Sequence, residues 1–477
     1  MSNPIFIARQ DTLEQEILPA QWLSHYKLFG EESYTFQDKE IWKKLCMSRA
    51  AANDRDMHGE ALEEMLTTFS AEHTGKWMLL VYGMDAAELN GLATMAAVAA
   101  SGTAMAAVTG NALLMHAIAN SETAMQAIGR SQTAMQRIAN SATAMDAIGR
   151  SKIARDAVQA SPYYNSYIKE NDMAIAKLAV ALANLASAGY SSMAEVAADS
   201  TAMTAVAASR TAMTAVAASS TAMNAVAASS AAMTAIAVSA VAMNAIGGNS
   251  IARDAISASS YYDANIKEND MAIAKLVVGF ANLESARYSG CAGMAADSTA
   301  MTAVAASSTA MTAVAASSTA MTAVAASSTA MTAVAASGVA LKAIAKAYKQ
   351  TADMLQFLQA VNASDTLVKS IYNTLTKATT LFDAAQLGSQ DDVTEANSWA
   401  TTSAAPNAFL ACACGYYSSR SDSVNVTYNG TVIAQNRTGT VKPGSVTSTN
   451  VNAITMAPST FAENGDGYLA VQKFTAQ

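Results

Sequence analysis

Residues 307–336 are SSTAMTAVAASSTAMTAVAASSTAMTAVAA, which is one ten-residue unit copied three times without a change. Variants of this unit surround the methionines from Met95 to Met145 and from Met203 to Met243. A chain built from copies of one unit grows by stacking layers rather than by wrapping a single core. The repeat therefore favours a solenoid over an ordinary globular domain.

Each unit has the spacing of a short amphipathic helix. Ala222, Met223, Val226 and Ala227 lie three to five positions apart and share one helical face. If the helix continued, ten residues at 3.6 per turn would leave each methionine about 80° behind the last. The apolar stripe would then circle the helix, and no fixed partner could bury it. We therefore predict helices of about two turns, separated by corners.

The unit boundaries carry residues that end and begin helices. In the first array the units end alternately in Ala-Asn and Gly-Arg, and a serine follows each time, at Ser121, Ser131, Ser141 and Ser151. Glycine or asparagine permits the left-handed residue that ends a helix, and serine caps the next one. The alternation suggests a coil of two helices, or twenty residues. We predict an interior ladder that is core and not a metal or redox site: Met203, Met213, Met223, Met233, Met243, Met301, Met311, Met321 and Met331.

Two nearly identical stretches, 98 residues apart, interrupt the arrays. Both contain Tyr-Tyr and the run Ile-Lys-Glu-Asn-Asp-Met-Ala-Ile-Ala-Lys-Leu, which predicts a longer helix. In the last ten-residue unit before each tyrosine pair, Arg155 or Arg253 occupies the position that methionine has in other units. This substitution is expected of a capping unit whose outer face is uncovered. The tyrosines either contact a partner or glycan or close the end of each block by aromatic packing, and we favour packing: Tyr163, Tyr164, Tyr261 and Tyr262.

The two ends differ from the middle. Residues 1–90 hold three of the four histidines, His25, His58 and His73, in no arrangement that suggests a ligand site, and we predict a helical docking head. The spacing from Leu341 to Leu358 resembles a short heptad seam, which could pack within one chain or join copies. From Asn397 the pattern alternates as in strands, with a hairpin at Asn429-Gly430.

The predicted fold is mainly α: an α-solenoid of ten-residue units with an N-terminal helical head and a small C-terminal antiparallel β domain. The predicted domains are the docking head 1–90, array one 91–160, Tyr-Tyr module one 161–198, array two 199–258, Tyr-Tyr module two 259–296, array three 297–346, a helical pair 347–396 and the β domain 397–477.

Bulk properties exclude several functions. The net charge is −8 and only 14% of residues are charged, so we expect no nucleic-acid partner. The N-terminus lacks the pattern of a signal peptide, and no apolar run reaches the ~20 residues that span a bilayer. Four cysteines give neither a disulfide framework nor a metal spacing. We find no phosphate loop, zinc motif or nucleophile elbow, and predict no cofactor and no enzyme. Asp422, Glu463 and Asp466 could in principle cleave glycans, but turn residues are the better explanation.

The Ser-Thr-Ala-Met-Thr-Ala-Val-Ala-Ala array and the β region after Asn397 resemble the layout of tail fibres and related virion appendages of tailed bacteriophages. The resemblance implies a non-enzymatic virion protein, made in the host cytoplasm, whose head docks on tail or baseplate proteins and whose tip contacts a host glycan or protein. Such fibres are usually homotrimers, and a trimer is weakly favoured here, although a self-contained solenoid departs from that pattern. The alternative is a bacterial surface scaffold whose solenoid binds a protein.

Overall fold

The computed structural model describes residues 95–110, 112–347, 352–390, 399–400, 407–416, 423–437, 444–457, 459–464 and 467–477. The predicted docking head lies outside these residues. The chain divides into two compact units between Ala232 and Met233. Short helices pack in series and are followed by two small antiparallel sheets, which confirms the predicted fold class for the described residues.

The first unit is helical throughout its described part, with one irregular segment after the longest helix. Its helices are α1 Met95–Ala100, α2 Gly102–Thr109, α3 Ala112–Asn120, α4 Glu122–Gly129, α5 Gln132–Ala139, α6 Ala142–Arg150, α7 Lys152–Gln159, α8 Tyr164–Tyr167, α9 Asp172–Leu182, α10 Met193–Ala198, α11 Ser200–Ala208, α12 Arg210–Ala218 and α13 Ser220–Ala227. The boundary between the units falls within α14 Ser230–Ala237.

The second unit continues with helices and ends in strands. Its helices are α15 Ala240–Gly247, α16 Ser250–Ser257, α17 Tyr262–Asn265, α18 Asp270–Phe280, α19 Cys291–Ala296, α20 Ser298–Ala306, α21 Ser308–Ala316, α22 Ser318–Ala326, α23 Ser328–Ala335, α24 Gly338–Lys346, α25 Ala352–Asn362 and α26 Asp365–Lys377. A 3₁₀ turn, Ser285–Arg287, follows α18.

One extended residue makes each corner. Ser307, with φ −91° and ψ 116°, ends α20 and begins α21, and its side chain accepts a hydrogen bond from the Ala310 amide. The two helices meet at 101°, and α23 and α24 meet at 97°. The prediction of a helix that stops at each serine is therefore confirmed, and the continuous rod is excluded for these arrays.

Three helices, not two, complete one coil. In the first unit α4 packs on α1, α5 on α2, α6 on α3 and α7 on α4; in the second, α22 packs on α19, α23 on α20 and α24 on α21. The predicted twenty-residue coil is wrong, because two helices per coil would need a reversal at each corner. A single extended serine turns the chain by only about 100°, so three corners nearly close the loop.

The glycines at the unit ends serve close packing and not a left-handed turn. Gly129 and Gly149 lie inside helices, and the described residues with positive φ are Asn184, Asn282, Asn429 and Gly430. A Cβ on Gly149 would lie 3.0 Å from the Ala181 Cβ, and one on Gly129 would lie 3.2 Å from the Ala157 carbonyl oxygen. The predicted left-handed stop is therefore wrong at these corners, and the Gly-Arg alternation reflects contact with the next coil.

The Tyr-Tyr modules are insertions in the stack and do not terminate it. In the first unit α9 packs on α6 and supports α12; in the second unit α18 packs on α15 and supports α21. The expectation that Arg155 and Arg253 mark terminal caps is therefore wrong. Each arginine instead donates to a carbonyl in the preceding helix, at Gly149 and Gly247 respectively.

The last two helices continue the same stacking. α25 packs on α22 and α26 on α23. The predicted heptad seam does not form one helix, because α24 ends at Lys346 and α25 begins at Ala352. Tyr348 and Thr351, which the seam included, lie outside the described residues.

The C-terminal region forms two four-stranded antiparallel sheets. The strands are β1 Phe382–Gln390, β2 Trp399–Ala400, β3 Ala408–Tyr416, β4 Ser423–Tyr428, β5 Thr431–Arg437, β6 Ala453–Met456, β7 Ser459–Asn464 and β8 Gly467–Ala476. The sheet orders are β1-β8-β3-β6 and β2-β7-β4-β5. The β structure begins at Phe382, inside the segment predicted as helical, because β1 pairs along the C-terminal strand β8.

Two local features stabilise these sheets. Asn429 and Gly430 have φ of 47° and 75°, as a two-residue turn with two left-handed positions requires, and they join β4 to β5 as predicted. Asn362, at the end of α25, accepts a hydrogen bond from the Ile454 amide and donates to the Ile454 carbonyl. Because β6 is an edge strand, Asn362 occupies backbone groups that another strand could otherwise pair with. One buried core runs from the helices of this unit into both sheets.

Candidate functional site

The corner serines form a ladder between coils. The Ser327 hydroxyl accepts a hydrogen bond from the Ala330 amide and donates one of 2.6 Å to the carbonyl of Ala295, 32 residues earlier. The same donation to a residue 32 positions back is made by Ser131, Ser141, Ser151, Ser161, Ser229 and Ser337. Apart from Ser161, whose oxygen accepts from the Tyr163 amide in a turn, each hydroxyl thus caps its own helix and bonds to the preceding coil. Serine fits this position because it can accept and donate at once.

Aspartate replaces the corner serine at the first array helix after each Tyr-Tyr module. Asp199 caps α11 by accepting from the Thr201 and Ala202 amides, and the Tyr190 hydroxyl donates to it at 2.8 Å. A carboxylate cannot donate to a carbonyl, so it belongs at a corner where a hydroxyl donates to it. The Tyr190 hydrogen bond is the main cause that lowers the pKa of Asp199. Asp297 and Tyr288 repeat the pair at 2.8 Å.

A glutamate from each module binds a distant helix N-terminus. Glu170 lies between α8 and α9, and its carboxylate accepts from the Ser220 amide at 3.2 Å and the Thr221 amide at 3.0 Å. The Ser219 hydroxyl accepts from the next amide, Ala222. Three free amides at the start of α13 are therefore bonded. Such a contact joins the module to a helix fifty residues further along the chain.

The second module repeats this contact with Glu268 and α22. Its carboxylate accepts from the Ser318 amide at 3.1 Å, and from the Thr319 amide and hydroxyl, each at 2.9 Å. Burial alone would raise the pKa of Glu268, but the hydrogen bonds from Thr319 and Ser318 outweigh it and lower the pKa below 4.5. The negative charge also lies at the positive end of the helix dipole.

Each module also buries a lysine in its long helix. Lys177 is only 2% exposed, and its ammonium donates to Asp146 on α6 at 2.8 Å and to the Ser187 carbonyl at 3.1 Å. The Ser187 hydroxyl donates to the same Asp146 oxygen. This charge pair connects α9, α6 and the segment after α9, so it fixes where the module meets the stack.

The second module lacks the carboxylate. The Lys275 ammonium donates to the Asn244 amide oxygen at 2.7 Å and to the Ser285 carbonyl at 3.0 Å. Asn244 thus occupies the place that Asp146 has in the first module. Burial without a counter-charge lowers the pKa of Lys275.

The nine predicted ladder methionines are all buried. Met331 is 2% exposed and the other eight have no exposed surface: Met203, Met213, Met223, Met233, Met243, Met301, Met311 and Met321. The alanine before the methionine and the valine or isoleucine three residues after it are buried in each of these units, and in most of them a second alanine is buried as well. The thioether fills the interior space where three helices converge.

The four predicted contact tyrosines are half-buried. Tyr163 and Tyr164 pack against the core of the first unit, and Tyr262 packs against that of the second, while Tyr261 is also half-buried. Burial is the main cause that raises the pKa of Tyr164 and of Tyr262 to about 12. Packing thus accounts for most of their surface.

Several candidate sites can be located or set aside. Cys291, Cys412 and Cys414 are buried, and none of these three forms a disulfide bond. Within the described ranges no group of three or more metal-binding side chains occurs. His25, His58, His73, Asp422 and Asp466 lie outside those ranges. Over the same ranges no single helix is long and apolar enough to cross a bilayer, although three bent pairs of helices satisfy length and composition when taken together.

Sequence reasoning missed the glutamates and lysines that join the modules to the stack. Glu170, Lys177, Glu268 and Lys275 all lie in the run that is repeated without change 98 residues apart. The identity of the two copies was the signal in the sequence that these charged residues have a structural role, because a solvated loop has no need to keep a charged residue at each position.

No family model and no curated protein matches this chain.

Proposed function

We propose that this chain is a non-enzymatic spacer of adjustable length, carried on a virion as a tail fibre or a tail or baseplate adaptor. The observation that carries the proposal is the serine ladder. Since the ladder serines bond to the coil 32 residues before them, an added coil can repeat the same contact with its neighbour.

The surface of the array supports a role in reach. In the unit 307–316 the methionine, the valine and two alanines are buried, whereas Ser308 and Thr312 are exposed. The Thr312 hydroxyl donates to its own helix, at the Ser308 carbonyl, and so adds little that a partner could recognise. Three verbatim copies of such a unit suit a shaft better than a binding surface.

The placement on a virion follows from the resemblance to tail fibres. In this proposal the N-terminal head docks on other tail proteins, and the β domain contacts a glycan or protein of the host surface. The protein is made in the host cytoplasm and needs no cofactor. Three copies side by side are the weakly favoured assembly.

Two measurements test the proposal. Antibody against the purified chain should label particles in a virion fraction, and labelling confined to cell envelopes would favour the surface-scaffold alternative. Inserting two extra coils, sixty residues copied from 307–336, should lengthen the labelled appendage by about 18 Å, since packed helices lie ~9 Å apart. An appendage of unchanged length would contradict the spacer role.

A further inference from the structure

The last unit of the third array departs from the repeat on one side. Residues 337–346 are SGVALKAIAK, whereas each of the three preceding units is SSTAMTAVAA. The buried changes, methionine to Leu341 and valine to Ile344, keep the core apolar. The changes to Val339, Lys342 and Lys346 instead all line one cavity.

This cavity is a groove of about 580 Å³ between α21, α24 and the residue that precedes β1. Val339, Ala343 and Leu381 supply an apolar wall, and Ser308 and Thr312 of α21 lie on the other side. Gly338 allows the segment that contains Ala378 and Leu381 to approach α24 closely, and this segment forms the third side of the groove. A Cβ on Gly338 would lie 3.0 Å from the Ala378 Cβ and 3.2 Å from Leu381 Cδ1.

The groove is lined by two lysines and, among its described residues, by no acidic one. Lys342 and Lys346 are four residues apart on one helix and therefore share a face, where like charges repel. In the part of the chain that the structure describes, neither ammonium forms an ion pair or a hydrogen bond. None of the described lining residues carries a carboxylate.

We propose that this groove binds a small anionic ligand through a carboxylate or phosphate group. The two ammoniums hold the anionic group, the Ser308 hydroxyl provides a further donor, and the wall of Val339 and Leu381 takes the apolar part of the ligand. Lysine is a point charge and does not require the planar geometry of a carboxylate, so both anions fit. The site is independent of where the chain is located.

The test uses the full chain and variants that restore the repeat. Isothermal titration calorimetry should show binding of inorganic phosphate, of glucuronate or of both, weakened by added salt. The double variant Lys342→Thr and Lys346→Ala should bind at least tenfold more weakly. It should fold normally, because those residues occupy the same positions in the three preceding units. The double variant Lys369→Ala and Lys377→Ala, which removes equal charge from exposed positions on α26, should bind as the unaltered chain does.

The two probes separate the sources of the anion. Binding of phosphate alone indicates a phosphate ester, and binding of glucuronate alone indicates a carboxylated sugar. The proposal is overturned if neither probe binds, if the repeat-restoring variant retains full affinity, or if the control variant loses as much.

Discussion

The corner serine is the residue that determines this fold. It is extended, so it ends one helix; its oxygen accepts from the third amide of the next helix; and its proton bonds to the preceding coil. The two serines of the Ser-Ser pair have different roles: Ser327 forms both of these hydrogen bonds, whereas Ser328 is exposed. Sequence could assign the capping role, since the serine precedes an apolar run. It could not reveal the bond to the preceding coil, because that depends on how many helices complete a turn.

The two serines of the pair provide a matched comparison. Ser327→Ala should lower the free energy of unfolding by about 1–3 kcal/mol, because it removes a helix cap and leaves the Ala295 carbonyl without its donor. Ser328→Ala should change it by less than about 0.5 kcal/mol. Urea unfolding followed by circular dichroism measures both. Equal losses in the two variants would mean that the ladder contributes nothing.

At the scale of elements, a ten-residue period predicted short helices and their buried faces, but not their arrangement. The positions of Met301, Val304 and the other core residues follow from helical spacing alone. The number of helices per coil depends on the corner angle, which a single extended residue sets at about 100°. The modules were recognisable as repeats, yet Glu268 reaches a helix fifty residues away, and no local pattern indicates such a distance.

The contact between Glu268 and α22 should make this part of the stack sensitive to acid. The pKa of Glu268 is lowered in the folded chain, so its contribution is complete above about pH 4.5 and is lost as the pH falls through the lowered pKa. Glu268→Gln should lower the free energy of unfolding by less than about 1 kcal/mol at pH 7, because Glu268 is exposed and solvent screens its charge. The difference between the two proteins should shrink as the pH falls towards 3.

Hydrogen exchange at the Ser318 and Thr319 amides provides the local measurement. Exchange should be faster in Glu268→Gln at pH 7, whereas the Ala330 amide, which Ser327 caps, should be unaffected. A difference between variant and unaltered chain that does not depend on pH would exclude ionisation of Glu268 as the cause.

At the scale of the whole second unit, the three-helix coil makes length and direction separate variables. Each added ten-residue unit turns whatever follows by one corner, and only multiples of three restore the direction. The β domain follows the array through α24, α25 and α26, so it turns with them. A spacer of this kind therefore has a phase, meaning the direction in which the following domain is turned, as well as a length.

That phase can be measured by inserting one, two or three copies of SSTAMTAVAA after Ala326. Spin labels at the exposed positions Asp263 and Asn429 should report distances that change irregularly for one and two copies. With three copies the distance should differ from that of the unaltered chain by no more than the added coil, about 9 Å. Every one of these variants should remain folded, because each copy offers the same interface to its neighbours. A distance that grows by equal steps would contradict the three-helix coil.

The serine ladder also has a consequence for synthesis on the ribosome. The serine whose hydroxyl bonds to a given carbonyl lies 32 residues further along the chain, so it is synthesised soon after that carbonyl. Nascent chain can therefore join the growing stack at once, so folding keeps pace with translation instead of awaiting the C-terminus. Adding copies should lengthen the time needed to synthesise the protein without slowing its folding.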